Sequence, residues 1–309
     1  MIPVKPPALR PGDTVGIVAP ASNVKPDLLA AGCREVESLG FKVRHREDIL
    51  ASFRYLAGDT ARRVAEFREM LEDPEVRAIF CARGGYGSAH LLDHISPAEI
   101  RAHPKIFCGA SDITMLMNAY LRAGVVPFHG PMVATTIRQG AGAYDRDLFL
   151  RTLVGAEAVR FPTEGTEILQ RGQAEGRLAG GCLSLLVSML GTPWDIDTTD
   201  TILVVEDIDA RPYQVDRMLT QWRQAGKFES VRAVIFGEML QCEQHPQQGY
   251  TLQEVISEVL DGLGVPILYG FPTGHTSKPN QLVPFGVRAQ VTLDEKSVFE
   301  LLEPAVEPA

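Results

Sequence analysis

Short apolar runs alternate with stretches of helical periodicity through residues 14–124, and this alternation constrains the fold more than any other feature. Thr14 to Ala19 (TVGIVA) is apolar and ends at Pro20, the pattern of a buried strand. Leu28, Leu29, Cys33, Val36 and Leu39 follow at helical spacing, and Gly40 stops that helix. Phe41 to Arg44 makes the next strand. Val64, Phe67, Met70 and Leu71 then share a helix face that ends before Pro74. Val76 to Ala82 (VRAIFCA) is a strand, Arg83 to Gly87 (RGGYG) a turn, and Ser88 to Ile95 a short helix. Lys105 to Gly109 (KIFCG) is a strand, and Asp112 to Arg122 a helix stopped by Gly124. Strands joined through helices run parallel, so the βαβα order predicts an α/β fold with helices on both faces of a parallel sheet.

Periodicity weakens over residues 135–172, which hold Gly140, Gly142, Gly155, Pro162, Gly165 and Gly172. This stretch reads as a linker with some helix around Asp145 to Leu153. A second run of elements begins near Gln173. It has helices at Leu183 to Leu190, Tyr213 to Ala225 and Leu252 to Leu260, and strands at Thr201 to Val205, Val231 to Phe236 and Pro266 to Tyr269. Val287 to Leu301 reads as two strands around a turn at Asp294 to Lys296, and Glu303 to Ala309 as a frayed tail. The chain has 309 residues, more than the roughly 250–300 at which one core stops growing. Two domains are therefore expected, 1–134 and 173–309, joined by 135–172.

The formal net charge of −9 argues against nucleic acid as a partner. A hydrophobic fraction of 45% with 22% charged residues is that of a globular protein. Val15 to Ala21 is far short of the ~20 apolar residues that cross a bilayer, so no membrane partner is expected. The N-terminus, with its prolines and Lys5, does not read as a signal peptide. Cys33, Cys81, Cys108, Cys182 and Cys242 are odd in number and irregularly spaced, as suits reduced thiols in a cytoplasm.

Several groups could carry chemistry. Ser111, in Gly109-Ala110-Ser111-Asp112, lies between a strand and a helix. A serine on such a turn is lifted out of the sheet as a nucleophile, or it simply caps the helix. Arg83-Gly84-Gly85-Tyr86-Gly87 is either an amide cradle for an anion or a tight turn, and it lacks the Lys-Ser/Thr of a P-loop. Glu206 and Asp207 end an apolar strand. His275 follows Gly274 in a turn, and His129 ends an apolar run where it is placed to line a cleft. His90 and His94 are four apart with no third ligand, so no metal is expected. The chain order Ser111, Glu206, His275 is that of a serine–acid–histidine triad. The histidine takes the serine proton, the carboxylate fixes the imidazole, and backbone amides hold the oxyanion.

From about Pro11 to Leu293 the chain resembles the LD-carboxypeptidase family of serine peptidases. The ordered motifs are PGDTVGIVAPAS, CARGGYGS, GASDIT, FHGPM, LAGGCLSLL, VVEDIDARPYQVDRML and FPTGHTSKPNQLVPFG. The resemblance implies an N-terminal flavodoxin-like domain carrying Ser111 as nucleophile. It implies a C-terminal swivelling β/α domain carrying Glu206 as acid and His275 as base. The amides of Gly85 and Asp112 would form the oxyanion hole. The implied reaction releases terminal D-alanine from the L-centre of meso-diaminopimelate in murein tetrapeptides, within cytoplasmic cell-wall recycling. Arg83 would pair with the substrate's terminal carboxylate. No cofactor or metal is implied, and the family's members are commonly homodimers. Two departures stand out. Cys182 replaces a frequent asparagine, and Asp209-Ala210-Arg211-Pro212-Tyr213 replaces a Glu-Glu-Pro-Tyr-like stretch. A microcin C-type immunity hydrolase acting on peptidyl or aminoacyl adenylate analogues is the alternative enzyme, and a non-enzymatic ligand-binding protein the alternative class.

Overall fold

The structure, a computed structural model, describes residues 3–155 and 157–308. Its first sheet is built from β1 (Thr14–Val18), β2 (Lys42–Arg44), β3 (Val76–Cys81), β4 (Ile106–Gly109) and β5 (Phe128–His129). These five are parallel and lie in the order β2-β1-β3-β4-β5. That is the flavodoxin-like winding, in which ligands bind beyond the carboxyl ends of the strands near β1 and β3.

The second sheet takes β6 (Arg160–Phe161), β7 (Glu167–Gln170), β8 (Gly172–Cys182), β9 (Thr201–Glu206), β10 (Ala233–Gly237) and β11 (Ile267–Phe271). The chain then returns to the first sheet, where β12 (Val283–Pro284) pairs antiparallel with β5, Val283 opposite His129. Finally β13 (Arg288–Leu293) and β14 (Val298–Leu301) complete the second sheet, whose order is β6-β14-β13-β8-β9-β10-β11-β7. Its centre, β8 to β11, is parallel, and its flanks are antiparallel.

The helices are α1 (Pro26–Ser38), α2 (Thr60–Glu72), α3 (Pro97–Ala102), α4 (Thr114–Ala123), α5 (Arg146–Val154), α6 (Leu183–Ser188), α7 (Pro212–Gln224) and α8 (Leu252–Val259). Local chemistry marks their starts. Pro26 opens α1, the Asp59 carboxylate accepts the Arg62 amide at 2.8 Å before α2, and a Thr251–Glu254 capping box precedes α8. Val215, Met218, Leu219 and Trp222 of α7 are buried against the second sheet's core. Every residue of β9 (TILVVE) is buried, including its terminal acid.

Several elements depart from the sequence expectations. Ser88 to Ile95 forms only a 3-10 turn, Ser88–Leu91. The Asp112 carboxylate accepts the amides of Gly87 and Ser88 at 3.3 and 2.8 Å, so this segment is held from outside. α3, started by a Ser96–Glu99 capping box, was not expected. The stretch 135–172 is more than a linker, because besides α5 it supplies β6 and β7 and the start of β8. The long strand β8 escapes notice because GQAEGRLAGGC has neither alternation nor an apolar run. The tail is not frayed. The Glu307 amide donates to Pro6 O at 2.9 Å, Lys5 pairs with Glu303 at 2.8 Å, and Ala305 and Val306 are buried. Ala309 lies outside the described residues.

Candidate active site

Ser111 follows β4 with φ of +60°, a left-handed backbone that non-glycine residues seldom adopt. A sharp turn of this kind presents a side chain at the sheet's carboxyl edge. The competing reading as a helix cap is not realised, since no side-chain cap bond is made at the 3-10 turn Ser111–Ile113 or at α4.

The glycine-rich turn after β3 packs directly on this serine. A Cβ on Gly84 would stand 2.8 Å from Ser111 Cβ and 3.1 Å from Asp112 N. Gly84→Ala therefore displaces the serine. Since a shift of about 1 Å costs on the order of 100-fold in rate, turnover should fall by about that factor while the fold survives. Unchanged steady-state kinetics would show that the contact is tolerated. Neighbours hold the turn in place. The Ser22 amide donates to Gly84 O and the Tyr86 amide to Ser22 Oγ, at 3.3 and 3.1 Å. The fully buried Arg63 donates from Nη1 to Pro20 O and Gly87 O at 2.8 and 2.6 Å. The amides of Gly85 and Asp112 engage no acceptor among the described residues.

Glu206 and His275 come from the second sheet, at the end of β9 and in the loop after β11. One carboxylate oxygen, Glu206 Oε2, accepts both the His275 backbone amide at 2.9 Å and the ring Nδ1 at 2.7 Å. Only glycine permits this approach at position 274. Its φ is +66°, and a Cβ there would stand 2.4 Å from Glu206 Cδ. Burial opposes charge on both groups. Their mutual attraction and hydrogen bond outweigh it, holding the Glu206 carboxyl below its ordinary range and the imidazole above its own. Asp207 plays a different part, accepting the amides of Ser184 and Ile208 at 2.8 Å each.

Ser111 and His275 face one cavity of about 300 Å³, together with Arg83, Gly84, Gly85 and Thr276. No hydrogen bond joins the serine hydroxyl to the imidazole among the described residues. The larger cavity of about 610 Å³ lies at the far ends of β8 to β11, beside Gln173, Asp200 and Pro266, and holds no nucleophile beside a base. Arg83 Nη1 donates to Asn23 O at 3.3 Å, while its buried Nε has no partner among the described residues.

Two residues near the acid and base carry more than the sequence disclosed. Glu238, just past β10, accepts Thr276 Oγ1 at 2.5 Å and the Ser277 amide at 2.7 Å, and so pins the loop that carries His275. His129 does not line a cleft. It is fully buried, stacked on Phe285 with ring centroids 5.4 Å apart, and its Nε2 stands 3.9 Å from Glu206 Oε1. Both its ring nitrogens and that oxygen are buried without hydrogen-bond partners among the described residues.

Burial pushes the His129 pKa from 6.5 down to about 4, against the pull of Glu206. The unfolded chain then binds the proton more readily than the native one. Stability is full above pH 6.5 and falls as pH drops toward 4, by about 3 kcal/mol from this group. His129→Phe should flatten the pH dependence of urea unfolding across that window. An unchanged slope would mean that the buried imidazole is already charged.

Cys182 is also buried, with Sγ 3.7 Å from Asp207 Oδ1. Donor atoms of Cys182, Glu206 and His275 lie within 4.8 Å of one another, and among the described residues these three are the cluster close enough to share a metal ion. In this state they are otherwise engaged. Burial raises the thiol pKa well above its ordinary value, and the other two are bonded to each other. The Cys182 amide donates to Thr114 Oγ1 at 3.0 Å, tying β8 to α4 across the two sheets.

Residues 15–130 match the LD-carboxypeptidase N-terminal domain and residues 175–291 the LD-carboxypeptidase C-terminal domain. The chain belongs to the LD-carboxypeptidase family, and is a peptidase of the carboxypeptidase type. Among its relatives is a Bacillus subtilis protein named "Probable murein peptide carboxypeptidase", 40% identical over 300 residues that span 95% of this chain and 93% of the relative. The crystal structure of muramoyltetrapeptide carboxypeptidase from Oxalobacter formigenes superposes with a TM-score of 0.84 at 27% identity, covering 96% of this chain and all of the other. The Escherichia coli microcin C7 self-immunity protein MccF is 27% identical, over 94% of this chain and 93% of its own.

Proposed function

We propose that the chain is a serine carboxypeptidase that hydrolyses the L,D-amide joining meso-diaminopimelate to terminal D-alanine in murein tetrapeptides. One observation carries the proposal. Glu206 grips the His275 ring and backbone together, and that ring faces the same cavity as a serine on a left-handed turn.

The roles follow from the chemistry. His275 Nε2 takes the Ser111 proton as Oγ attacks the carbonyl, then passes it to the departing amine. Glu206 fixes the tautomer by accepting from Nδ1 and stabilises the imidazolium. The unengaged amides of Gly85 and Asp112 hold the oxyanion. Water then clears the acyl-enzyme. Arg83 pairs with the terminal carboxylate. In this scheme 1–134 supplies the nucleophile and 173–309 the acid and base. The enzyme works as a cytoplasmic homodimer in peptidoglycan recycling, with no cofactor.

The test is mass-spectrometric detection of D-alanine released from a purified murein tetrapeptide. Release of the tripeptide and D-alanine is expected, and an inert peptide would overturn the proposal. MccF makes hydrolysis of adenylate analogues the second reading. Of the two tryptophans, Trp222 is fully buried, Trp194 is half-buried against the core, and neither is among the residues lining the reaction cavity, which favours the peptide. Side-by-side turnover of the two substrates separates them.

A further inference from the structure

Beside the reaction cavity lies a second, of about 320 Å³, and the two share Arg83, Thr135 and Thr136. The ionisable groups that line this annexe are Lys25, Arg83 and Arg138, with no acidic residue among its lining. In a chain of net charge −9 such a one-signed lining is unusual. Among the described residues none of the three cations takes part in an ion pair. Other arginines do pair, such as Arg44 with Asp73 and Arg288 with Glu175. Lys25 also sits at the start of the thirteen-residue α1, whose N-terminal amides and dipole add positive potential there. Val24 and Leu28 give the same annexe an apolar wall.

We propose that this annexe binds the free carboxylate on the diaminopimelate side chain, with Lys25 and Arg138 as its partners, and so selects diaminopimelate over lysine at that position of the peptide. The inference rests on the carboxypeptidase reading above and names what else in the substrate that site recognises. The argument is one of reach and charge. The terminal carboxylate of D-alanine is one residue's length from the reacting carbonyl and stays in the reaction cavity with Arg83. The other carboxylate of diaminopimelate lies at the end of a flexible methylene chain. That chain can pass Arg83 along the apolar wall and deliver its charge to the neighbouring cavity. Lysine carries the same terminal ammonium on a chain of equal length but no carboxylate, so it brings the basic lining a cation and no anion to pair with.

The experiment compares four tetrapeptides with the native protein and with the double variant Lys25→Gln, Arg138→Gln. They are the diaminopimelate form, the form amidated on the diaminopimelate side chain, the lysine form, and the form amidated at the C-terminus. The native protein should favour the diaminopimelate form over its side-chain amide and over lysine by about 10- to 100-fold in kcat/KM, carried by KM. In the variant that preference should shrink toward unity, while turnover of the side-chain amide stays at the native level. Retention of the native preference by the variant overturns the inference and leaves the carboxypeptidase reading standing. So does an equal loss on all peptides, or a loss that vanishes only with the C-terminal amide. No cleavage of any peptide by the native protein overturns both.

Discussion

Ser111→Ala should abolish D-alanine release, lowering kcat by about 10³-fold or more. Its hydroxyl faces the His275 cavity from a left-handed turn, beside the unengaged amides of Gly85 and Asp112. Structure should hardly notice its loss. The side chain is only partly buried and makes no cap bond, so unfolding free energy should stay within about 0.5 kcal/mol of the native value. The backbone supplies a companion test. Alanine at φ of +60° keeps the strain that serine bears, whereas Ser111→Gly should relieve it and raise stability by about 1 kcal/mol. Both variants should be inactive, and only the second more stable. An alanine variant that still releases D-alanine at the native rate would remove Ser111 from the mechanism.

Glu206→Gln should cost about 10³- to 10⁴-fold in kcat, with the fold retained. The amide oxygen can still accept from the His275 backbone and ring, so the geometry is largely kept. The negative charge that stabilises the imidazolium is not. The sign of the accompanying pH effect is fixed by the same pair. The Glu206 charge and hydrogen bond raise the His275 pKa, and His275 must be neutral to accept the serine proton. Its acid limb in kcat/KM therefore lies above the ordinary imidazole value in the native protein, and moves to lower pH in the variant. A residual activity whose acid limb stays in place would show that Glu206 does not act on His275. Full activity would show that the carboxylate is dispensable.

Much of this was legible because each candidate group sits where a regular element ends. Strong apolar runs gave β1, β3, β4 and β9, and their ends gave Ser111, the glycine turn and Glu206. Periodicity in α1, α2 and α7 was equally plain, since one apolar stripe on each meets a core. What escaped lacks a local signal. β8 is glycine-rich because its neighbours crowd it, as at Gly180, where a Cβ would stand 1.8 Å from Val204 O. β12 is two residues long and exists only by pairing with β5. His129 looked accessible from its motif, yet its environment is set by Phe285 and Glu206, far away in sequence. Glu238 is one acid among many until the His275 loop folds onto it.

The excursion of β12 bears on how the molecule is made. As the chain leaves the ribosome, the first sheet remains open along β5 until residue 284 has been synthesised. A fragment ending at residue 134 would carry Ser111 and its turn but present a bare hydrogen-bonding edge. Biosynthesis of the amino-terminal half thus ends with a loan from the carboxyl-terminal one, and cutting the gene between the halves should yield a sticky, incompletely zipped polypeptide.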